Sequence, residues 1–197
     1  LITDCASRKS VVVDAPQDLE ELILTAQNTE VEAILITHRH SDHLAGLDEL
    51  IHAFDVPLGI SCRDSETVRR MGFEPEVDVS DGALITVGAL TMATLATPGH
   101  TRGSNCYFIE SEVSEHGGIL FTGDTLFPGG PGRTTRPQDL QDEIVSIRDR
   151  LLKLPESTSV WPGHGEGTTI AKARDEYSRF AARLHPSDLC GDVTWLD

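Results

Sequence analysis

The chain has 197 residues, 39% of them hydrophobic and 24% charged, a composition typical of one packed globular domain. Its 16 basic and 32 acidic residues give a formal net charge of −16, which disfavours nucleic acid and anionic membranes as partners. No apolar run approaches the ~20 residues that a membrane-spanning helix needs.

The first half of the chain alternates apolar strand patterns with amphipathic helix patterns. Strands are predicted at 10–14, 31–37 and 56–60, and helices at about 19–26 and 44–54. Leu1 and Ile2 are expected to lie in the middle of a strand. A single domain is therefore predicted over 1–197, and it is expected to lack its extreme N-terminal strand.

The second half of the chain is richer in strands. A hairpin is predicted over 84–97, strands at 105–110, 119–122 and 158–161, and helices at about 140–154 and 171–184. A loop rich in glycine and proline covers 127–137. Because the strands come in runs with helices between them, the pattern predicts sheets covered by helices.

The four cysteines are widely spaced and include no Cys-x-x-Cys pair, which disfavours a zinc finger, a redox dithiol or a disulfide scaffold. They are Cys5, Cys62, Cys106 and Cys190. Reduced cysteines are typical of a cytoplasmic protein, and this localisation is predicted. Cys106 lies in an apolar run and is expected in the core.

An unusually dense group of metal-binding residue types follows the strand predicted at 31–37. His38 and His40 are two positions apart, so in an extended segment they point the same way. Asp42 and His43 follow where the chain turns into a helix, so they can face the same point from another side. Imidazole nitrogens and carboxylate oxygens are ligands that zinc and related divalent metals favour.

Three more candidate ligands follow later strands, each directly after a glycine that allows a tight turn. They are His100, Asp124 and His164. Asp14 also ends a predicted strand and is a candidate for support behind a ligand. The isolated histidines are interpreted as surface or satisfied core residues: His52, His116 and His185. Arg39 and Ser41 alternate with the first two histidines and are expected to point away from the metal.

The order His-x-His-x-Asp-His, then His, Asp and His, resembles the metallo-β-lactamase fold superfamily, from Val11 to about Ile170. Within it, the segments around His100, Asp124 and His164 resemble the hydroxyacylglutathione hydrolase (glyoxalase II) branch, in particular its short bacterial members. The resemblance implies an α/β fold, an αββα sandwich of two mixed β-sheets flanked by helices.

The resemblance also implies two divalent metal ions, expected to be zinc, with iron and manganese as alternatives. One ion would be held by His38, His40 and His100, the other by Asp42, His43 and His164, and Asp124 would bridge them. The implied reaction is hydrolysis by a hydroxide between the metals, acting on a thioester such as an S-acyl-glutathione-like substrate. Asp42 and Asp124 are the candidate catalytic carboxylates, and Arg133 is a candidate contact for an anionic small-molecule substrate.

Other functions remain open from the sequence. A persulfide dioxygenase with one mononuclear iron uses the same residue types, and a lactonase shares most of the ligands. A non-catalytic metal-binding protein is a further alternative. Because only about thirty residues follow His164, the helical domain with which full glyoxalase II enzymes grip glutathione is not expected, so the thiol carrier is open. The oligomeric state is not predicted.

Overall fold

The computed structural model describes residues 1–110 and 117–196, so the interpretation of His116 lies outside the described residues. The strands, in chain order, are β1 (Ile2–Thr3), β2 (Lys9–Val13), β3 (Glu30–Leu35), β4 (Leu58–Gly59), β5 (Leu84–Val87), β6 (Leu90–Ala96), β7 (Asn105–Ile109), β8 (Ile119–Gly123), β9 (Leu126–Phe127), β10 (Gly130–Pro131), β11 (Ser159–Pro162) and β12 (Thr168–Thr169). The helices are α1 (Glu20–Ala26), α2 (Leu47–Phe54), α3 (Ser65–Arg70), α4 (Pro137–Asp149) and α5 (Ile170–Ala181), with 3-10 turns at Ser41–His43 and Leu151–Lys153.

The first sheet has four strands in the order β1-β2-β3-β4. β1 is antiparallel to β2, whereas β2, β3 and β4 run parallel. Successive side chains of a strand point to opposite faces, and both faces are buried here. Val12 and Ile34 pack with Leu47 of α2 on one face, while Val11 and Leu35 face the second sheet. Burial on both faces explains the nearly continuous apolar runs of β2 and β3.

The second sheet has six strands in the order β12-β11-β8-β7-β6-β5, with β11 and β8 parallel and the other neighbours antiparallel. Tyr107 and Met92 face the first sheet. Leu120 of β8 faces outward and packs with Ile147 of α4 and Phe180 of α5. The layers are therefore helix, sheet, sheet and helix, which confirms the predicted αββα sandwich.

The helix predicted to reach 154 ends earlier. Pro137 begins α4, as expected for a residue that lacks an N–H and has a fixed φ. At Arg150 the backbone leaves helical geometry, with φ −120° and ψ −60°, and a 3-10 turn follows. The apolar spacing continues across this break because Leu151 and Leu152 are buried in the same outer core as Ile147.

Cys106 is fully buried, as predicted. In the part of the chain that the structure describes, no helix combines the length and the apolar character needed to cross a membrane.

Candidate metal centre

Four loops that follow strands meet at one edge of the sandwich. They follow β3 in the first sheet and β6, β8 and β11 in the second. Backbone hydrogen bonds join them: Asn105 N donates to Thr37 O at 2.9 Å, and Gly163 N donates to Gly123 O at 2.8 Å. The buried Tyr107 hydroxyl donates to Ile36 O at 3.1 Å. These contacts fix the loops that carry the candidate ligands.

Three histidines form the first cluster. The Nε2 atom of His38 lies 3.1 Å from His40 Nδ1, which lies 2.8 Å from His100 Nε2. The triangle closes with 3.2 Å between the Nε2 atoms of His100 and His38. A tetrahedral zinc site with bonds of ~2.0–2.1 Å places its donor atoms about 3.3 Å apart. The three nitrogens therefore have the spacing that one divalent ion requires.

The second cluster combines two histidines with two carboxylates. His43 Nε2 and His164 Nε2 are 3.2 Å apart, and His164 Nε2 lies 3.0 Å from Asp42 Oδ2. Asp124 Oδ1 lies 3.3 Å from His43 Nε2. One donor atom from each of the four residues falls within 4.8 Å of the others. Nitrogen and oxygen donors of this kind suit zinc, iron and manganese alike.

Asp124 lies between the two clusters. Its Oδ2 is 3.7 Å from His100 Nε2 in the first cluster and 3.7 Å from His164 Nε2 in the second. Its Oδ1 is buried and has no hydrogen-bond partner among residues 1–110 and 117–196. A buried anionic oxygen without a partner is costly, and a cation shared by these donors would satisfy it.

Glycine at position 163 keeps open the space between the clusters. A Cβ atom there would lie 2.5 Å from both Asp124 Oδ1 and His43 Cε1. Any larger residue would displace one of these two side chains. The absence of a side chain at this position and the unpartnered oxygen of Asp124 both fit the binding of divalent metal.

Hydrogen bonds behind the clusters orient two of the rings. His43 Nδ1 lies 2.8 Å from Asp14 Oδ2, and His100 Nδ1 donates to the carbonyl oxygen of Arg133 at 2.9 Å. Asp14 is itself held by Thr37, whose N–H donates to Oδ1 at 2.7 Å and whose hydroxyl donates to Oδ2 at 2.8 Å. Donation from Nδ1 leaves the lone pair of each Nε2 directed into the site, an arrangement common behind metal-binding histidines.

The electrostatics of the site follow from this packing. Burial, together with the neighbouring His43 and His100, lowers the pKa of His38 to about 2, so its ring is a neutral donor. Burial also opposes protonation of His43, but the hydrogen bond to Asp14 and the negative charges of Asp14 and Asp124 outweigh it and raise the pKa of His43 to about 10. A metal ion bound by His43 would therefore replace a proton.

The remaining candidate residues lie beside the clusters rather than in them. The Arg39 guanidinium donates to Asp64 Oδ1 at 2.7 Å, which directs its side chain away from the histidines. Arg133 offers its backbone oxygen to His100, while its side chain is exposed, with Nε 3.7 Å from Asp192. His52 is exposed on α2, and His185 stacks on a phenylalanine ring.

Asp64 was not predicted from the sequence. It is buried, and its Oδ2 accepts from the backbone N–H of Arg39 at 3.1 Å and from the Thr101 hydroxyl at 2.6 Å. It thereby ties the loop that follows β3 to the loop that carries His100. A lone aspartate in a short loop carries no sequence signal for this role, because its partners come from distant parts of the chain.

Comparison with known proteins identifies relatives across most of the chain. A family model described as "Metallo-beta-lactamase superfamily" matches residues 7–164. A probable metallo-hydrolase, YqgX of Bacillus subtilis (strain 168), is 32% identical over 160 residues, covering 73% of each chain. A hydroxyacylglutathione hydrolase of Pseudomonas entomophila (strain L48) is 33% identical over 166 residues, covering 83% of this chain and 60% of that protein.

Solved structures show the same likeness. BLEG-1, a B3 metallo-beta-lactamase, has a TM-score of 0.74 at 29% identity, covering 88% of this chain and 89% of that one. ETHE1 from Myxococcus xanthus has a TM-score of 0.75 at 28% identity, covering 93% and 79%. TTHA1623 in a di-iron-bound form has a TM-score of 0.62 at 28% identity, covering 81% and 84%.

Proposed function

Because the chain belongs to the metallo-beta-lactamase superfamily, we propose that it is a thioester hydrolase that works with two divalent metal ions. The observation that carries this proposal is the position of Asp124, which contacts both clusters and has a buried oxygen without a partner. A carboxylate has two oxygens, so it can serve two ions ~3.5–4 Å apart, the usual spacing in two-metal hydrolases.

We assign the proposed ligands to two ions according to the cluster in which each residue lies. His38, His40 and His100 would hold one ion, and Asp42, His43 and His164 would hold the other, with Asp124 within reach of both. We propose zinc as the metal, because imidazole and carboxylate groups are common zinc ligands; iron and manganese, which accept the same donors, are the alternatives. When bound, such ions lower the pKa of water and polarise the acyl carbonyl of a substrate.

The chain's own residues prepare the site for this chemistry. Asp14 and the Arg133 carbonyl hold the rings of His43 and His100 in place, so little reorganisation is needed during reaction. Asp42 is 54% exposed, whereas Asp124 is 13% exposed. The carboxylate of Asp42 is therefore open to solvent, while that of Asp124 is screened from it.

The choice of a thioester is supported by the similarity to the Pseudomonas entomophila hydroxyacylglutathione hydrolase. The substrate is a small molecule, and the net charge of −16 argues against nucleic acid as a partner. All four cysteines are unpaired, which supports the proposed cytoplasmic localisation.

A second candidate is a mononuclear iron enzyme acting on persulfides. The observation that favours it is the difference between the clusters. His38, His40 and His100 form a tight triangle, whereas Asp42 and His164 in the other cluster are each 54% exposed. In a one-metal enzyme, the three-histidine cluster would hold the iron and the more exposed second cluster would stay empty.

Elemental analysis of the purified protein, beside an activity panel, tests the proposal. The panel contains thioesters, lactones, a chromogenic β-lactam and a glutathione persulfide monitored by oxygen consumption. Two metal ions per chain and hydrolysis of thioesters are expected. One iron per chain with oxygen consumption would replace the proposal with the second candidate, and hydrolysis confined to lactones or β-lactams would refute the thioester assignment.

A further inference from the structure

A cleft lined by arginines lies next to the three-histidine cluster. It has a volume of about 480 Å³, and His40 and His100 form part of its wall. Four arginines and one aspartate also line it: Arg39, Arg102, Arg133, Arg136 and Asp139. We call this space the arginine cleft. None of these arginines except Arg133 stands out in the sequence, because they come from three separate loops.

The charge of the arginine cleft is opposite to that of the molecule. The whole chain carries 16 basic and 32 acidic residues, yet four of those basic residues meet here around a single aspartate. Concentrated positive charge in a concave, partly desolvated space attracts anions more strongly than the same charge spread over a surface. The cleft is thus suited to an anionic ligand that the rest of the surface would repel.

The arginines of the cleft differ in how far their charges are compensated. Arg39 is paired with the buried Asp64 at 2.7 Å, and the Arg136 Nε atom is paired with Asp139 at 2.8 Å. Arg133 Nε lies 3.7 Å from Asp192, a looser contact between two exposed side chains. Arg102 is exposed and has no ion pair with any residue in the described ranges. Its guanidinium is therefore the group of the cleft most available to a ligand.

A second cavity, of about 640 Å³, adjoins the arginine cleft. It shares Arg102, Arg136 and Asp139 with the cleft and adds Arg63 and Asp142. Positive charge therefore extends beyond the cleft, although the two aspartates offset part of it. A ligand with its reacting end at the two histidines and an anionic group near Arg102 would meet a guanidinium group there.

We propose that the arginine cleft binds the anionic groups of the substrate's thiol carrier, so that the substrates are thioesters of a multiply anionic thiol. This inference rests on the proposed function. Guanidinium groups bind carboxylates and phosphates through paired hydrogen bonds, so both kinds of carrier share the required chemistry. The first turn of α4, which begins at Pro137, lies beside the cleft and adds the partial positive charge of a helix N-terminus.

Kinetic measurements with one acyl group on three thiols test the proposal. The thiols are coenzyme A, which carries phosphates, glutathione, which carries carboxylates, and N-acetylcysteamine, which carries no charge. The wild type is expected to favour at least one anionic thioester over the neutral one by at least ~10-fold in kcat/KM. The preferred anionic thiol identifies the anionic group as phosphate or carboxylate.

Variants then assign the effect to the cleft. Arg102→Gln is expected to lower kcat/KM for the anionic thioester about 10-fold, while the neutral thioester changes less than about twofold. Arg70→Gln is the matched control, since Arg70 is exposed on α3 and is paired with Glu66. It is expected to leave both activities unchanged. Equal hydrolysis of neutral and anionic thioesters, unaffected by Arg102→Gln, would overturn the inference and leave thioester hydrolysis standing.

A binding measurement separates the inference from the proposed function. Isothermal titration calorimetry with free coenzyme A and free glutathione is expected to show binding that weakens at high salt and about 10-fold in Arg102→Gln. Such binding in a protein that hydrolyses no thioester would refute the proposed function while supporting an anion-binding cleft. Binding that is the same in the wild type and in Arg102→Gln would overturn the assignment to the cleft.

Discussion

Asp124 is the acidic residue of the site that contacts both clusters. Asparagine has nearly the same size as aspartate but carries no negative charge. Asp124→Asn is expected to retain at most one tightly bound metal and to lose hydrolysis by more than about 100-fold. Folding should persist, because the side chain lies in a loop beyond β8 and not in an apolar core. Elemental analysis, thioester assays and circular dichroism provide the measurements.

Asp48→Asn is the control for this change, since Asp48 is 73% exposed on α2 and should have no effect. Two retained metals with near-normal turnover in Asp124→Asn would mean that this carboxylate is not shared between ions.

A change at Asp14 tests whether the hydrogen bond that orients the His43 ring matters for metal binding, because no proposed ligand is removed. Its carboxylate holds His43 at 2.8 Å, and its backbone has a φ of 61°, a conformation that asparagine also tolerates. Asp14→Asn is expected to weaken metal binding by the second cluster about 10–100-fold. Competition with a graded series of chelators measures the loss.

Asp55→Asn is the matched control for Asp14→Asn, because Asp55 has a φ of 48° and lies at the exposed end of α2. Unchanged metal affinity in Asp14→Asn would show that the His43 ring is held adequately by its packing alone.

Among the elements, α4 packs against the loop that carries His100. Glu143 on this helix is completely buried, and a Cβ on Gly99 would lie 2.1 Å from its Cβ, so only glycine allows the loop before His100 to approach the helix. Neither carboxyl oxygen has a hydrogen-bond partner among the described residues. Burial raises the pKa of Glu143 well above its ordinary value, although the N–H groups of Gly132 and His100 oppose the shift.

The raised pKa sets the direction of a pH effect on stability. The protonated form of Glu143 is favoured in the folded chain, so its stabilisation is fully present below the unfolded pKa of ~4.3 and is lost as pH rises toward the folded pKa. Glu143→Gln mimics the protonated form. At pH 8 it is expected to raise the thermal unfolding midpoint by about 2–4 °C, a gain that shrinks toward pH 4.5.

Thermal unfolding followed across pH 4.5–8 measures this gain, with Glu49→Gln on the exposed face of α2 as the control. A midpoint for Glu143→Gln that is lower than the wild type at every pH would show that the carboxyl group contributes through contacts instead.

The elements found from the sequence are those with long periodic patterns. α5 and the β5–β6 hairpin follow the predicted positions within a few residues. The six-residue α3 was missed, because its sequence is too short and polar to show an apolar repeat. The pair β9–β10 was also missed, since it contains Gly130 and Pro131, which are rare inside strands.

The residues of the site also fall into those that could be identified from the sequence and those that could not. The candidate ligands were identifiable because each follows a strand, and strand ends meet at an edge of a sheet. The arginine cleft was not identifiable, because Arg39, Arg102 and Arg136 are brought together only by the tertiary fold. A residue type with no fixed spacing carries no local signal, whatever its role in the folded chain.

For the molecule as a whole, the two clusters take donors from loops of both sheets, so bound metal stabilises the packing of one sheet on the other. Removal of the metal with a chelator is expected to lower the thermal unfolding midpoint by roughly 5–10 °C, since a ligand at 100 times its Kd contributes ~2.7 kcal/mol. Differential scanning calorimetry before and after chelation measures this change.

Restored zinc should return the midpoint to its original value, and chelation of Asp124→Asn should produce a smaller drop. An unchanged midpoint in protein proven by elemental analysis to be metal-free would show that the sandwich is stable without its site.

The meeting of both sheets at this one edge also has a consequence for how long the protein survives in a cell. His38 and His164 lie roughly 125 positions apart, and no disulfide joins any of the four cysteines. A metal ion can link such distant segments only while the chain is folded. The stability that this link adds therefore depends on how much metal is available to bind. Chains made during metal scarcity would open more often, expose more backbone to proteases and be degraded faster, which would match the amount of protein to the metal available for its work.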